Sequence, residues 1–249
     1  MQPDPRVFYR RRLPHYQPPN ETFHVTFRLA GSLPNETVER LKREHAEAEK
    51  RIKSIQNPDD RRKARGDWGA EYFRKYDEFL DRASSGPSWL GEDSIAAKVG
   101  ETIQSQDGKT FDLLTYCLMP NHVHLLATFH QFSANIAAGD VERSSDRLEQ
   151  TKPEPSESGQ RTEVRFTTGQ YLLAGALKKL KGVSAYECNK LLHRRGAFWH
   201  HESYDHMIRN DAELERTIWY ILANPVNAGL CRHWRDWKWT YLREGVIEL

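Results

Sequence analysis

The sequence predicts an α+β protein in which helices cover one face of an antiparallel sheet. Three observations predict it. Short runs alternate apolar and polar residues, as strands do, and longer runs carry apolar residues every three or four positions, as helices do. The order is strand, two helices, two strands, then two helices, a strand and a helix. Strands and helices do not alternate one by one, as they would around a parallel sheet.

The first half of the chain is predicted to hold three strands and two helices. The strands are residues 22–30, 111–119 and 122–129. The helices are residues 35–56 and 60–83. Asn35 is the expected cap of the first helix, and the aromatic side of the second is expected to pack on the sheet or on the first helix. Pro87 and several glycines predict a loop between the second helix and the second strand.

The second half begins with a polar stretch at 133–163, rich in Ser, Glu, Pro, Gly and Gln, which predicts a linker or disordered insertion. The elements expected after it are helices at 167–181 and 184–192, a strand at 197–208 and a helix from about 211. Pro225 and Gly229 are expected to end that last helix. The tryptophan-rich tail, 231–249, should fold back as a strand or loop.

Composition excludes several classes of protein. The chain has 249 residues, of which 38% are hydrophobic and 29% charged, which suits one domain with additions outside its core. It has no run of 18 apolar residues and no apolar leader in its first 30, so we expect a cytoplasmic protein without a membrane partner. Its three cysteines lack CxxC spacing, which argues against disulfides and against a thiolate zinc site.

The net charge of +2 says little, but the positive charge is concentrated in residues 170–199. Six basic residues there face one acid, Glu187, with tyrosine, phenylalanine and tryptophan between them. Cations for phosphates and rings for unstacked bases are what a single-stranded nucleic acid needs. A solvated helix face with core aromatics fits equally well.

Two short patterns carry possible chemistry. His122 and His124, two apart on a strand, leave the same face and can chelate a metal; the alternative is a hydrogen-bonded pair at a sheet edge. Tyr220 and Asn224, four apart on a helix, share one side; the alternatives are a core phenol and a helix-ending residue. Asn224 precedes a proline and is expected in a frayed last turn. Tyr204 is an alternative to Tyr220 as the phenol of the site, but no candidate metal ligand follows it four residues later.

A second polar cluster follows residue 199. If residues 198–207 form a strand, its members divide between two faces, which makes a single four-ligand site unlikely on geometry. The members are His200, His201, Asp205 and His206.

Several segments resemble, in order, the single-tyrosine HUH transposases, in the branch associated with repetitive extragenic palindromes (REP). The strongest are YCLMPNHVHLL (116–126), FWHHESYDHMIRN (198–210) and YILANPVNAGL (220–230). Residues 10–34 are similar to the start of that family, and 177–192 to its DNA-contacting helical segment. The resemblance implies one ferredoxin-like HUH domain over 1–249, with a helical insertion at 35–84 and the polar insertion at 133–163.

The same resemblance implies roles for individual residues. His122 and His124 match the metal ligands, Tyr220 the nucleophile, and Asn224 the third ligand, a position where the family often has Gln or His. Mg²⁺ or Mn²⁺ is the expected cofactor, although zinc would also bind. For two groups of expected DNA contacts an alternative is open. Arg10–12 could be an ordinary basic terminus, and Lys178 and Lys181 could be solvated surface lysines. The DNA contacts are Arg10, Arg11, Arg12, Lys178, Lys181, Asn189, Arg194 and Arg195.

The implied activity is a DNA transposase that binds an imperfect hairpin, cuts the adjoining single strand through a 5′-phosphotyrosine and can rejoin strands. A phenol with a pKa near 10 is mostly protonated at pH 7, a deficit of roughly 4 kcal/mol that a metal must offset. One alternative is a hairpin-binding protein without turnover. Another is an HxH metallohydrolase that uses water and forms no protein adduct. Members of the family act as monomers or homodimers, and both are open here.

Overall fold

The computed structural model describes residues 8–10, 14–16, 20–83, 85–130 and 172–247. The polar insertion predicted at 133–163 lies outside the described residues, as do Arg11 and Arg12. Within the part described, no helix combines the length and apolar character that crossing a membrane requires.

Seven strands and five α-helices make up the described parts of the chain. The strands are β1 (Phe8–Arg10), β2 (Pro14–Tyr16), β3 (Glu21–Leu29), β4 (Asp112–Leu118), β5 (His122–Phe129), β6 (Trp199–Met207) and β7 (Thr240–Leu242). The helices are α1 (Asn35–Ser54), α2 (Pro58–Asp81), α3 (Asp93–Gln104), α4 (Leu172–Leu191) and α5 (Asp211–Asn227). Short 3₁₀ turns lie at Trp89–Gly91 and Trp234–Asp236.

Five strands form one antiparallel sheet in the order β6-β3-β5-β4-β7, and β1 and β2 form a separate hairpin. β5 is therefore an inner strand, hydrogen-bonded to β3 on one side and to β4 on the other. Its register with β3 sets Thr26 opposite His124 and Arg28 opposite His122. The predicted α+β class with an antiparallel sheet is confirmed.

Both faces of the sheet are covered, because successive side chains of its central strands point to opposite sides and both sets are buried. On one face, Val25 and Leu125 pack with residues of α3 and α4 in the main apolar core. On the other, Leu126 packs with Ile218 and Leu222 of α5. The second face also carries His24, whose ring lies against a ring of α2. Helices thus lie on both faces instead of the single face expected.

Three elements differ from the sequence prediction. α3 lies in the predicted loop; its buried side chains, Ile95, Val99 and Ile103, recur every fourth residue, a pattern masked by the prolines and glycines around it. α4 is one continuous helix across the break predicted between residues 181 and 184, where the Ser184 hydroxyl donates to the carbonyl of Leu180. The first residue of α1 is Asn35, but it does not cap the helix, since the cap position is occupied by the preceding proline without a side-chain bond.

Candidate metal centre and its tyrosine

β5 brings two imidazoles together in the middle of the sheet. His122 and His124 are both fully buried, and their Nε2 atoms lie 2.9 Å apart. The strand has neighbours on both sides, so the pair is not at a sheet edge. Two ring nitrogens that face each other at this distance need a proton or a cation between them.

Partners on the outer ring nitrogens decide which way the lone pairs point. Asn121 donates its amide N–H to a carbonyl of α2, so its Oδ1, 2.6 Å from Nδ1 of His122, accepts the imidazole proton. Thr26 Oγ1 lies 3.0 Å from Nδ1 of His124 and is placed to accept in the same way. With protons on both Nδ1 atoms, the Nε2 lone pairs face each other and are free to bind a cation.

Burial keeps these imidazoles uncharged. It lowers the pKa of His122 to about 3. Burial, and then the charge of His122, hold the pKa of His124 well below its usual value. His24, whose Nε2 lies 3.2 Å from Nδ1 of His124, is a third buried imidazole with a pKa lowered by burial and by His124. Neutral imidazoles are the form that coordinates metals.

The third group of this centre is Asp77 of α2, which the sequence analysis did not single out. Its side chain is 3% exposed, and Oδ1 lies 3.3 Å from Nε2 of His124 and 3.7 Å from Nε2 of His122. Ligand atoms of the three residues all lie within 4.8 Å of one another, and among the described residues this is the one His, Cys, Asp and Glu group so arranged. No local sequence pattern distinguishes it from the other acidic residues of α2.

α2 holds this carboxylate across the sheet. The helix begins with Pro58 and is capped by Asn57, whose Oδ1 accepts the backbone N–H of Asp59 at 2.8 Å. Near its other end, the carbonyl of Leu80 accepts the side-chain N–H of Asn121, the residue just before β5. That bond ties α2 to the strand of the imidazole pair.

Asp77 lies in surroundings that oppose its charge. Burial, and then the charge of Asp81, raise its pKa well above the usual value, while a hydrogen bond from the Asn224 side chain opposes the rise. Asp81 is itself partly buried, with a pKa raised to about 6 by burial and then by Glu78. A cation close to these carboxylates would reverse the electrostatic penalty.

Two buried oxygens at this point have no hydrogen-bond partner among the described residues: Oδ1 of Asp77 and Oδ1 of Asn224. Buried polar atoms are almost always satisfied, so an unpartnered carboxylate oxygen beside two free lone pairs needs an explanation. Two imidazole nitrogens and this carboxylate oxygen lie close enough together to hold one metal ion. The residues present therefore fit a divalent cation.

α5 supplies the phenol, and its own sequence fixes where it begins. The Asn210 side chain caps the helix by accepting the N–H of Glu213 at 2.9 Å. Glu213 in turn accepts the backbone N–H of Arg209 at 2.8 Å and a ring nitrogen of His206 at 2.9 Å. These reciprocal bonds join the first turn of α5 to the end of β6.

Packing fixes the rotation of α5. Ile218, Ile221 and Leu222 are fully buried against the sheet, which directs Tyr220 toward the imidazole pair and leaves Asn224 on the cavity that Asp77 also lines. The Tyr220 hydroxyl donates to Oδ2 of Asp77, and its ring centroid lies 5.8 Å from that of His124. The predicted phenol and both predicted histidines are thus in one place.

Asn224 lies deeper in α5 than expected. The helix continues through Pro225 to Asn227, so Asn224 is inside the last turn, 1% exposed, and not in a frayed end. Its Nδ2 is 3.4 Å from the carbonyl of Tyr220. Pro225 is tolerated because it removes only one backbone donor close to the helix end.

The rival phenol is engaged elsewhere. Tyr204 donates to the carbonyl of Gly69 in α2 at 3.0 Å, and its ring stacks on Phe73 with centroids 4.6 Å apart. The second polar cluster is also divided, since His206 pairs with Glu213 and His201 with Glu202.

The predicted DNA contacts of α4 lie on the other face of the sheet from the imidazole pair. Lys181 donates to the carbonyl of His200 at 2.7 Å. Arg194 donates to Oδ1 of Asn189 at 2.8 Å and lies over the ring of Trp89, 4.2 Å from its centroid. These three side chains are thus hydrogen-bonded within the protein, and their role in DNA binding stays a prediction.

Two others of that group, Lys178 and Arg195, are exposed. Arg10 lies in β1, paired with Pro14 of β2.

No protein-family model matches the chain. A protein of Haemophilus influenzae Rd, which carries the provisional name REP-associated tyrosine transposase, is 23% identical over 137 residues, 55% of this chain and 61% of that relative. The match thus spans less than two thirds of the relative's length. A solved structure of a REP-associated tyrosine transposase bound to a REP hairpin aligns over 93% of this chain and 80% of its own, with 14% identity and a TM-score of 0.44. The family resemblance drawn from the sequence is confirmed.

Proposed function

We propose that this chain, a relative of the REP-associated tyrosine transposases, is a metal-dependent DNA transesterase. It binds a DNA hairpin and cuts and rejoins the adjoining single strand through a 5′-phosphotyrosine. One observation carries the proposal: Tyr220, Asp77 and the imidazole pair, which come from three separate parts of the chain, meet at one buried point.

A divalent cation would be held by Nε2 of His122 and His124 and by Oδ1 of Asp77, with Oδ1 of Asn224 as a further oxygen. When bound, Mg²⁺ or Mn²⁺ polarises a phosphate and neutralises charge that develops on it. The imidazoles favour Mn²⁺ and the oxygens accept either ion.

Tyr220 is the nucleophile, and Asp77 is placed to take its proton. An ordinary phenol is about one part in a thousand ionised at pH 7, a deficit of about 4 kcal/mol. The Tyr220 hydroxyl already donates to Oδ2 of Asp77, so this oxygen is placed to take the phenolic proton. Oδ1 of the same carboxylate is the atom that lies 3.3 Å from Nε2 of His124.

The covalent step balances as follows. The proton of Tyr220 passes to Asp77, the phenolic oxygen bonds to phosphorus, and the bond from phosphorus to the 3′ oxygen breaks. The leaving oxygen takes up a proton from solvent to become a 3′-OH, Asp77 later returns its proton to solvent, and the 5′ phosphate stays on Tyr220. A second 3′-OH can reverse the step and join strands, because the link keeps the energy of the phosphodiester.

The hairpin and the setting follow from the family. The solved relative is bound to a REP hairpin, and we assign an imperfect hairpin with a single-stranded flank to this chain. Acting on chromosomal DNA would place it in the cytoplasm, with the nucleoid. Size-exclusion chromatography with light scattering decides whether it acts as a monomer or a homodimer.

The test is formation of an adduct. Purified protein, Mn²⁺ and a hairpin oligonucleotide with a single-stranded flank should give an SDS-resistant conjugate, mapped by peptide sequencing to Tyr220 with the DNA attached by its 5′ phosphate. Tyr220→Phe should abolish the conjugate and leave hairpin binding intact. Tyr241→Phe, in β7 at the opposite edge of the sheet, is the matched control and should retain the conjugate.

Several results would contradict the proposal in different ways. A conjugate that persists in Tyr220→Phe would move the nucleophile, and one unaffected by EDTA would remove the metal. Cleavage without any adduct would indicate a hydrolase that uses water. Tight hairpin binding with neither cleavage nor adduct under Mg²⁺ or Mn²⁺ would leave a binding protein.

A further inference from the structure

We propose that the single-stranded DNA lies in a groove between α2 and α5, which we call the strand groove, and that it reaches Tyr220 along α2. This rests on the proposed function and specifies its substrate path. The groove is lined by the side of α2 that runs from residue 59 to 74, by Arg216 and Tyr220 of α5 and by Arg209 at its entrance, and Tyr204 of the sheet lies at its base.

The strand groove continues into the metal centre. Its cavity measures about 890 Å³, and a second cavity of about 390 Å³ lies beside Asp77 and Asn224. Arg74 and Tyr220 line both cavities. A strand in the groove would therefore meet the phenolic oxygen where the two cavities adjoin.

The helical period of α2 makes the groove long and open. The groove side of α2 runs from Arg62 through Gly66 and Ala70 to Arg74 and Asp77. At 1.5 Å per residue, Arg62 and Asp77 are about 22 Å apart along the axis, enough for about six nucleotides at a stacked spacing of 3.4 Å. Ala70 has a small side chain that leaves width for a backbone, and the absence of a side chain at Gly66 lets the Arg209 guanidinium lie close to the helix.

Charge changes sign along this path in the way that the chemistry requires. Five cationic side chains line the large cavity, against three carboxylates. The small cavity has three carboxylates against two arginines. Phosphates are attracted to the first and a cation to the second.

Most of these cations are available to a ligand. Lys63, Arg209 and Arg216 are exposed, and no described carboxylate lies within ion-pair distance of them. Arg62 pairs at 3.6 Å with Asp59, but both side chains are more than 80% exposed, so the pair is weak and easily exchanged for phosphate.

Aromatic rings form the floor. Phe73 stacks on Tyr204 at 4.6 Å and lies 5.8 Å from the ring of Tyr220. The Tyr204 hydroxyl is bonded to α2, which keeps that ring in place. Rings beside cations are the arrangement that binds unstacked bases.

The basic residues of α4 cannot serve this purpose, because the sheet separates them from Tyr220. α4 packs on the face opposite the imidazole pair, with Leu177 and Leu180 in the core that includes Val25 and Leu125. The phosphate attacked by Tyr220 thus needs cations on the other face, and those of the strand groove are adjacent.

Binding of a fluorescein-labelled 12-nucleotide oligo-dT, followed by anisotropy in EDTA, tests the groove without chemistry. Lys63→Gln with Arg216→Gln removes one cation from each wall. Each phosphate contact on a single strand contributes about 0.7 to the salt exponent, so two lost contacts should lower it by about 1.4 and weaken binding about 25-fold at 0.1 M salt. Arg43→Gln with Lys50→Gln, two exposed positions of α1, is the charge-matched control and should change binding less than twofold.

Cross-linking gives a second measurement that does not depend on charge. Ala70→Cys on the groove side of α2 should form a disulfide with a thiol-modified oligonucleotide, whereas Ala46→Cys on α1 should not. Two of the native cysteines, Cys117 and Cys188, are buried. Cross-linking of the wild-type protein gives the background that comes from Cys231.

The outcomes separate the groove from the chemistry. A Tyr220 adduct in the wild type, with the Lys63/Arg216 variant binding as tightly as the control, overturns the groove and leaves the proposed function. Weakened binding and cross-linking at Ala70→Cys, with no adduct under any metal, support the groove and overturn the function. No binding of the wild type to the oligonucleotide, or cross-linking at Ala46→Cys alone, also overturns the groove.

Discussion

Asp77→Asn keeps the shape of a buried side chain and removes its charge, which lets metal binding be separated from the stability of the fold. An asparagine at this position can still accept the Tyr220 hydroxyl through its oxygen. Its amide would face the imidazole nitrogens, which lie 3.3 and 3.7 Å from Oδ1 in the native protein. The substitution therefore removes one anionic ligand. It also places an amide N–H next to the Nε2 lone pairs of His122 and His124, which have no such donor in the native protein.

The size of both effects follows from the site. Loss of even an outer partner of a metal ligand weakens binding 10- to 100-fold, so loss of a ligand should raise the Kd for Mn²⁺ about 100-fold. A buried acceptor without a partner costs about 1–3 kcal/mol, and Oδ1 of Asp77 is one. The metal-free variant should be more stable by about 2 kcal/mol, a rise in Tm of about 4–8 °C for a chain of this length.

Isothermal titration with Mn²⁺ and thermal unfolding in EDTA measure the two effects. Asp67→Asn, exposed on the same helix, should change neither. A Kd within threefold of the native value would show that Asp77 is not a ligand. A lower Tm in EDTA would show that burial of the charge is not a cost in the metal-free protein.

Three further predictions concern the supports of the site. Tyr204→Phe should lower the free energy of unfolding by about 1 kcal/mol in urea, because it removes a hydrogen bond to a carbonyl of α2. Glu213→Gln should destabilise the protein by about 1 kcal/mol at pH 7 and by less at pH 3: burial favours the acid form of Glu213, but hydrogen bonds from His206 and a backbone N–H outweigh it and lower its pKa, so its stabilisation is fully present above its usual pKa and is lost as pH falls through its lowered pKa. Equal effects at both values would contradict this. Ser184→Ala should cost about 1–3 kcal/mol, because the indole N–H of Trp199 donates to that buried hydroxyl at 2.9 Å and would be left unpaired; full stability in urea would refute it.

Sequence periodicity was enough for features that lie within one element. A repeat of two placed His122 and His124 on one face, and a spacing of four placed Tyr220 and Asn224 on one side, because strand and helix geometry fix those relations locally. Four of the five strands of the sheet were found within two residues of their observed ends for the same reason, whereas β7 was expected only as a strand or loop within the tail. Burial of both faces of the sheet was harder to foresee. Polar residues that alternate with the apolar ones along a strand, such as Thr26, are buried here as well.

Asp77 could not be predicted, because its role depends on how α2 docks on the sheet. In the sequence it is one acid among many in α2, and no local pattern sets it apart. Its contact with Tyr220 joins residues 143 positions apart, and its contact with His124 joins two different elements. α3 was also not predicted from the sequence. The helix is short, and the proline and glycines near it outweighed its helical pattern of apolar residues.

The shallow seating of α2 has a consequence for how the site assembles. All 24 of its residues are described, and the buried ones are Asp77 and Leu80, so little apolar surface anchors the helix. Segments with few buried contacts detach at low free energy, and amide exchange should be faster in α2 than in β5. Mn²⁺ would bridge this loosely seated helix to the rigid centre of the sheet and slow its exchange. Binding of the cation would then hold α2 against the sheet and complete one wall of the strand groove, in addition to its role at the phosphate.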